Sequence, residues 1–168
     1  MKKFVTSPQA NRTRVNPRAT ATDWKRILVP LDFSDSSVAA LHQAVPLAHQ
    51  SGGKLLLLHV VQLPTLPTPA VTGGALGQVK EAHKALCEHA RAQLDKLVRT
   101  SGATGLVTHK MVTVGLASDE ITKAAKRLKC DLVVISIHAR SGLQRLLSTH
   151  TAEHVVRQAT CPVLCVQG

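Results

Sequence analysis

The chain has 168 residues, 44% of them hydrophobic, enough for one domain to bury a substantial core, and a formal net charge of +11. Five of those charges, Lys2, Lys3, Arg12, Arg14 and Arg18, fall in residues 1–22 with no acid among them, which leaves +6 on the remainder. Two Phe, one Trp and no Tyr offer few rings for bases to stack on, and no apolar run reaches the length of a membrane span, so nucleic-acid binding is not expected and membrane insertion is argued against.

Residues 1–22 place Pro8 and Pro17 among Thr, Asn and Arg, a composition that cannot offset the entropy of ordering the chain. They are expected to form a disordered basic tail, with no hydrophobic core of a signal peptide. The folded domain is expected over 23–168. Residues 26–32, RILVPLD, read as a buried strand ending on an acid, after which Ser34 caps a helix carrying Val38, Leu41, Val45 and Ala48. Pro46 is expected to bend that helix, and Gly52 and Gly53 to end it. Residues 54–61, KLLLLHVV, make a second apolar strand. Residues 63–77 hold three prolines, three glycines and no charge, the composition of an extended mobile loop. A long helix is expected over 79–98, with Val79, Ala82, Ala85, Leu86, Ala90, Leu94, Leu97 and Val98 at helical spacing.

Residues 106–114 alternate in part as a third strand, and Ser118 is placed to cap a helix that presents Ile121, Ala124, Ala125 and Leu128. The unbroken apolar run 132–135, rich in β-branched residues, reads as a strand covered on both faces. A basic loop over 138–148 follows, then a helix over 151–159 with Ala152, Val155, Val156 and Ala159 on one face, and Pro162 blocks its continuation. Residues 163–166 are a last short strand. Four β-α units closed by a fifth strand predict an α/β fold, a doubly wound five-stranded parallel sheet of Rossmann-like type with helices on both faces.

The four cysteines, Cys87, Cys130, Cys161 and Cys165, form no C-x-x-C pair and are expected to be reduced, as suits a cytoplasmic protein. His150 and His154 share a helix face, but no Glu or Cys stands at metal-binding spacing beside them, so no metal site is expected. Ser141 lacks a nucleophile-elbow setting and no paired carboxylates are present. The sequence assembles no catalytic machinery.

The run from Asp131 to Val166 resembles the signature of the universal stress protein family, close to GTHGRSGLSRLLLGSVAE followed by CPVLVV. The likeness is carried by Arg140, Ser141, Gly142, Leu143, Arg145, Leu146 and Leu147, by Ala152 and Glu153, and by residues 161–164. It implies the adenine nucleotide alpha hydrolase-like form of the fold, with the first and fourth strands adjacent and a ligand cleft at their carboxyl ends. Site residues implied by the resemblance are Pro30, Asp32, Val60, Ile135, Ser136, Ala139, Arg140, Gly142, Thr149, His150 and Thr151. Asp32 and the Val60 main chain would face adenine and ribose, Ile135 the base, and the loop with the next helix start the phosphates. Asp32 has a second reading, as the polar end of its strand or a cap for the next helix.

Nucleotide-binding members carry G-x2-G-x9-G-[ST], which falls on Ser136, Ala139, Thr149 and His150, and none of the four matches. A phosphate loop uses glycines to turn backbone N–H groups inward, and a β-branched Thr149 is a poor substitute where φ must be positive. His150 is read either as a cation that joins His138 and Arg140 around a different anion, or as a side chain filling a disused site. The expected function is a stress-response binding module that takes ATP poorly or not at all. A conventional ATP-binding or slowly hydrolysing member is the alternative, and a nucleic-acid-associated protein using the tail ranks third. No cofactor is called for, with ATP or another adenine nucleotide left open. Possible partners are a small anionic ligand and a second copy, in a homodimer formed through residues 163–166.

Overall fold

The computed structural model describes residues 23–62, 75–137 and 148–167. The tail over 1–22 and most of the loop over 63–77 lie outside these. The loop is shorter than its composition predicts, because the following helix already begins at Ala75.

Five strands, β1 (Arg26–Pro30), β2 (Lys54–Val61), β3 (Val107–Val114), β4 (Leu132–Ile137) and β5 (Val163–Gln167), form one sheet in the order β3-β2-β1-β4-β5. Every neighbouring pair is parallel. Four helices, α1 (Asp35–Ser51), α2 (Ala75–Thr100), α3 (Ala117–Arg127) and α4 (Ser148–Gln158), make the crossovers. This is the doubly wound α/β architecture expected of strands joined by helices.

Alternation along the strands feeds two cores. Ile27, Val29, Leu55, Leu57 and Val134 pack under Leu41 and Ala44 of α1 and Leu94 of α2. Leu28, Leu56, Leu58, Val133 and Ile135 pack on the other face under Ile121 and Ala124 of α3 and Val155 of α4. Because both faces are covered, the central strands are apolar without interruption, which is why they were legible as runs.

The helix faces differ from the sequence reading in detail. α1 buries Ser37, Ala40, Leu41, Ala44 and Ala48, while Val38 and Val45 are only partly covered. Small residues sit where the helix lies closest to the sheet. Ser34 caps α1 as expected, accepting from Ser37 N, and the helix runs through Pro46 to end on Gly52 at φ 60°. Ser118 is not the cap of α3: Leu116 holds that position without a side-chain bond, and Ser118 is buried in the first turn. Of the apolar residues predicted along α2, Ala90 and Leu94 are buried but Ala82, Ala85 and Leu86 are exposed. In α4 Val155 is buried, whereas Val156 is 52% exposed.

Candidate ligand-binding site

β1 and β4 are hydrogen-bonded neighbours, yet their crossovers leave toward opposite faces of the sheet, α1 to one and α4 to the other. Chain diverging in opposite directions from adjacent strands leaves a crevice beyond their carboxyl ends. A cavity of about 150 Å³ occupies it. Leu58, Val60, Ile121 and Ile135 give it apolar walls, and Pro30 and Leu31 line it from the end of β1. Asp32, Ser37, Gln62, Ser136 and Thr151 add polar groups.

Three helix starts converge here. Ser37 lies in the first turn of α1, Ala117 opens α3, and Thr151 is the fourth residue of α4; all three line the cavity. The positive ends of three helix dipoles therefore face one small space, which favours negative charge or an acceptor-rich ligand.

Asp32 serves the fold as well as the cavity. Its Oδ1 accepts from Ser34 N at 3.0 Å and from Ser34 Oγ, holding the turn into α1. Between them Phe33 takes a positive φ of 66°, and its ring stacks on His59 with centroids 4.4 Å apart. The His59 Nδ1 lies 2.7 Å from Leu31 O, so β2 supports the turn that carries Asp32. Nothing in the sequence singled out this Phe33–His59 brace.

Of the residues expected at the site, Pro30, Asp32, Val60, Ile135, Ser136 and Thr151 come together around the cavity. Ala139, Arg140 and Gly142, with His138, lie outside the described residues. Thr149 belongs to the first turn of α4, three residues earlier than the helix was expected to start, so its backbone is helical and the strain argued for it does not arise. His150 is exposed and does not line the cavity, so the reading in which its side chain fills the site is not supported. Sequence reasoning missed Leu31, Ser37, Leu58, Gln62, Ala117 and Ile121. Leu31, Leu58 and Gln62 lie toward the carboxyl ends of β1 and β2 or just past them, and Ser37, Ala117 and Ile121 lie near the starts of α1 and α3, a signal available once strand ends and helix starts were known.

The described residues contain no group of three His, Cys, Asp or Glu able to hold a metal ion. All four cysteines are free, and burial pushes the Cys130 thiol up to about 12, which leaves it unreactive at neutral pH.

Residues 23–167, a span that includes every described residue, match the Universal stress protein family. The chain belongs to the universal stress protein family. It is 30% identical over 144 residues to a universal stress protein of Methanocaldococcus jannaschii, a match covering 86% of this chain and 82% of that one. The solved structure of universal stress protein UspA from Lactobacillus plantarum superposes with a TM-score of 0.65 at 30% identity, over 85% of this chain and 97% of that one. A universal stress protein solved in complex with cAMP shares the fold at a TM-score of 0.59 and 22% identity, over 86% of this chain and 98% of its own. No helix among the described residues is long and apolar enough to cross a membrane.

Proposed function

We propose that this universal stress protein is a stress-response binding module whose cavity takes a small adenine-type ligand and holds ATP poorly. The observation that carries the reading is the cavity itself. Apolar walls from Val60, Ile121 and Ile135 suit a planar base, with Asp32 and Thr151 at the polar rim to meet a sugar. The relative solved with cAMP makes an adenine nucleotide the natural class to test. Against tight triphosphate binding stand Ser136 and Ala139, where a phosphate loop would use glycines, and His150 in place of a hydroxyl. The exposed His150 at the start of α4 instead offers an imidazole N–H donor to an anion approaching from solvent.

Calorimetry with adenosine, AMP and ATP tests this. Adenosine and AMP are expected to bind, and ATP to gain no more than about tenfold over adenosine, a difference of roughly 1.4 kcal/mol. Sub-micromolar ATP binding, or no binding of any adenine compound, overturns the proposal. Ser136→Gly, Ala139→Gly, Thr149→Gly and His150→Ser combined should tighten ATP more than adenosine, because only the phosphates meet the changed backbone.

A homodimer through β5 belongs to the same proposal. Among the described residues β5 pairs only with β4, and its Leu164 and Cys165 are exposed. An apolar strand with one unpaired edge is satisfied by a second copy across a two-fold axis.

A further inference from the structure

The opposite edge of the sheet has a different chemistry. β3 pairs with β2 on one side, and among the described residues no strand pairs with the other. Gly115 N donates to Val61 O, so by the two-residue alternation of a strand the main chain at Met111 and Thr113 also faces β2. The N–H and C=O groups of Lys110, Val112 and Val114 therefore point outward. Such an edge is a template for another extended segment.

The walls decide which segment fits. A groove of about 890 Å³ runs along this edge, floored by residues 110–113 and bounded by Arg91 of α2 and by Lys123, Lys126 and Arg127 of α3. With Lys110 it holds five cations against one acid, Glu120. Lys110 pairs with Asp95 and Lys123 with Glu120. No carboxylate among the described residues comes within 4.0 Å of Arg91, Lys126 or Arg127. Among the described residues the groove has no aromatic ring in its lining on which bases could stack, whereas outward backbone groups in strand geometry match a polypeptide. The chain's own residues 1–22 carry five cations and no acid, and like charge excludes them as the occupant.

We propose that the outer edge of β3 is a docking site for an acidic extended peptide segment of a partner protein, which adds to the sheet as a sixth strand. Main-chain bonds to Lys110 and Val112 would supply affinity. Acidic side chains on alternate residues of the incoming strand would face α3, where Lys126 and Arg127 select them. The site shares Leu58 with the cavity between β1 and β4, but its cations and its open strand edge lie outside that cavity.

The probe is a capped eight-residue peptide alternating Glu with Val or Thr, compared with matched peptides bearing Gln or Lys in place of Glu, and with a single-stranded oligonucleotide. The acidic peptide is expected to bind, with affinity falling as salt is raised. Amide exchange on the unmodified protein is expected to show new protection at Lys110 and Val112, while Met111 and Thr113, already bonded to β2, change little. Arg91→Gln, Lys126→Gln and Arg127→Gln combined should weaken the acidic peptide at least about tenfold and leave the Gln peptide unchanged. Equal binding of the Lys peptide, binding without protection on β3, no binding of the acidic peptide, or displacement of it by the oligonucleotide would each overturn the proposal.

Discussion

Gly53 leaves no room for a side chain. A Cβ there would lie 2.0 Å from Trp24 O, and that carbonyl cannot retreat freely because Ser51 Oγ donates to it at 2.8 Å while Lys54 N bonds Lys25 O at 2.8 Å. Gly53→Ala is expected to destabilise by roughly 2–4 kcal/mol, read as a lower denaturation midpoint; a change within error would mean the β1–β2 entry shifts without cost. Glu120 supplies a pH-dependent contact at the same scale. Lys123 beside it, helped by Thr113 Oγ1 at 3.2 Å, holds its carboxyl below the usual value near 4.5. A depressed folded value means its contribution is present above the unfolded pKa and is lost as pH falls through the folded one. Glu120→Gln should therefore be less stable than the unmodified protein at neutral pH, and the gap should close as pH falls below the ordinary glutamate range in urea titrations. A gap that stayed constant with pH would assign the effect to packing instead.

At the scale of elements, α2 shows how helical periodicity overstates burial. Its 26 residues span about 39 Å, while the eight residues of β3 span only about 26 Å. The helix runs back against the strand direction, so its first half overhangs the carboxyl edge of the sheet and only the second half packs. Leu94 is fully buried and Leu86 is 50% exposed, although both keep the same spacing. Leu94→Ala should cost about 2–5 kcal/mol and Leu86→Ala no more than about 0.5, measured by chemical denaturation. Equal losses would show that the overhanging half is covered in solution. Asp131 illustrates the reverse case, a half-buried acid whose structural role the sequence hid. Its Oδ2 accepts from Lys25 N at 3.0 Å and Arg26 N at 2.9 Å, joining the starts of β4 and β1.

For the whole molecule, the two sheet edges carry the consequences. β5 ends the sheet in exposed Leu164 and Cys165, and β3 ends it among cations. If two copies pair through β5, Cys165 should react with a water-soluble thiol reagent in dilute protein and become protected as concentration rises. Light scattering should report the dimer over the same range, and Val163→Asp should abolish both effects. Labelling of Cys165 that does not change with concentration, in a sample shown to be dimeric, would place the interface elsewhere.

The element order, the parallel sheet and the two-sided burial were legible in the sequence because apolar runs such as 55–58 and 132–135, bounded by Gly and turn residues, leave few alternatives to buried parallel strands. Half the cavity was legible too: Pro30, Asp32, Val60, Ile135, Ser136 and Thr151 follow from the strand ends once the family likeness places β1 beside β4. What only the tertiary structure decided is what lies across from them. Ala117 and Ile121 reach the cavity because α3 packs on the face of β2 and against α4, and Phe33 braces Asp32 because β2 brings His59 beneath it. Such contacts join residues far apart in the chain, and local periodicity carries no record of them. The same holds for Leu86 and His150, whose neighbours in sequence are helical and whose exposure is set by where the sheet ends.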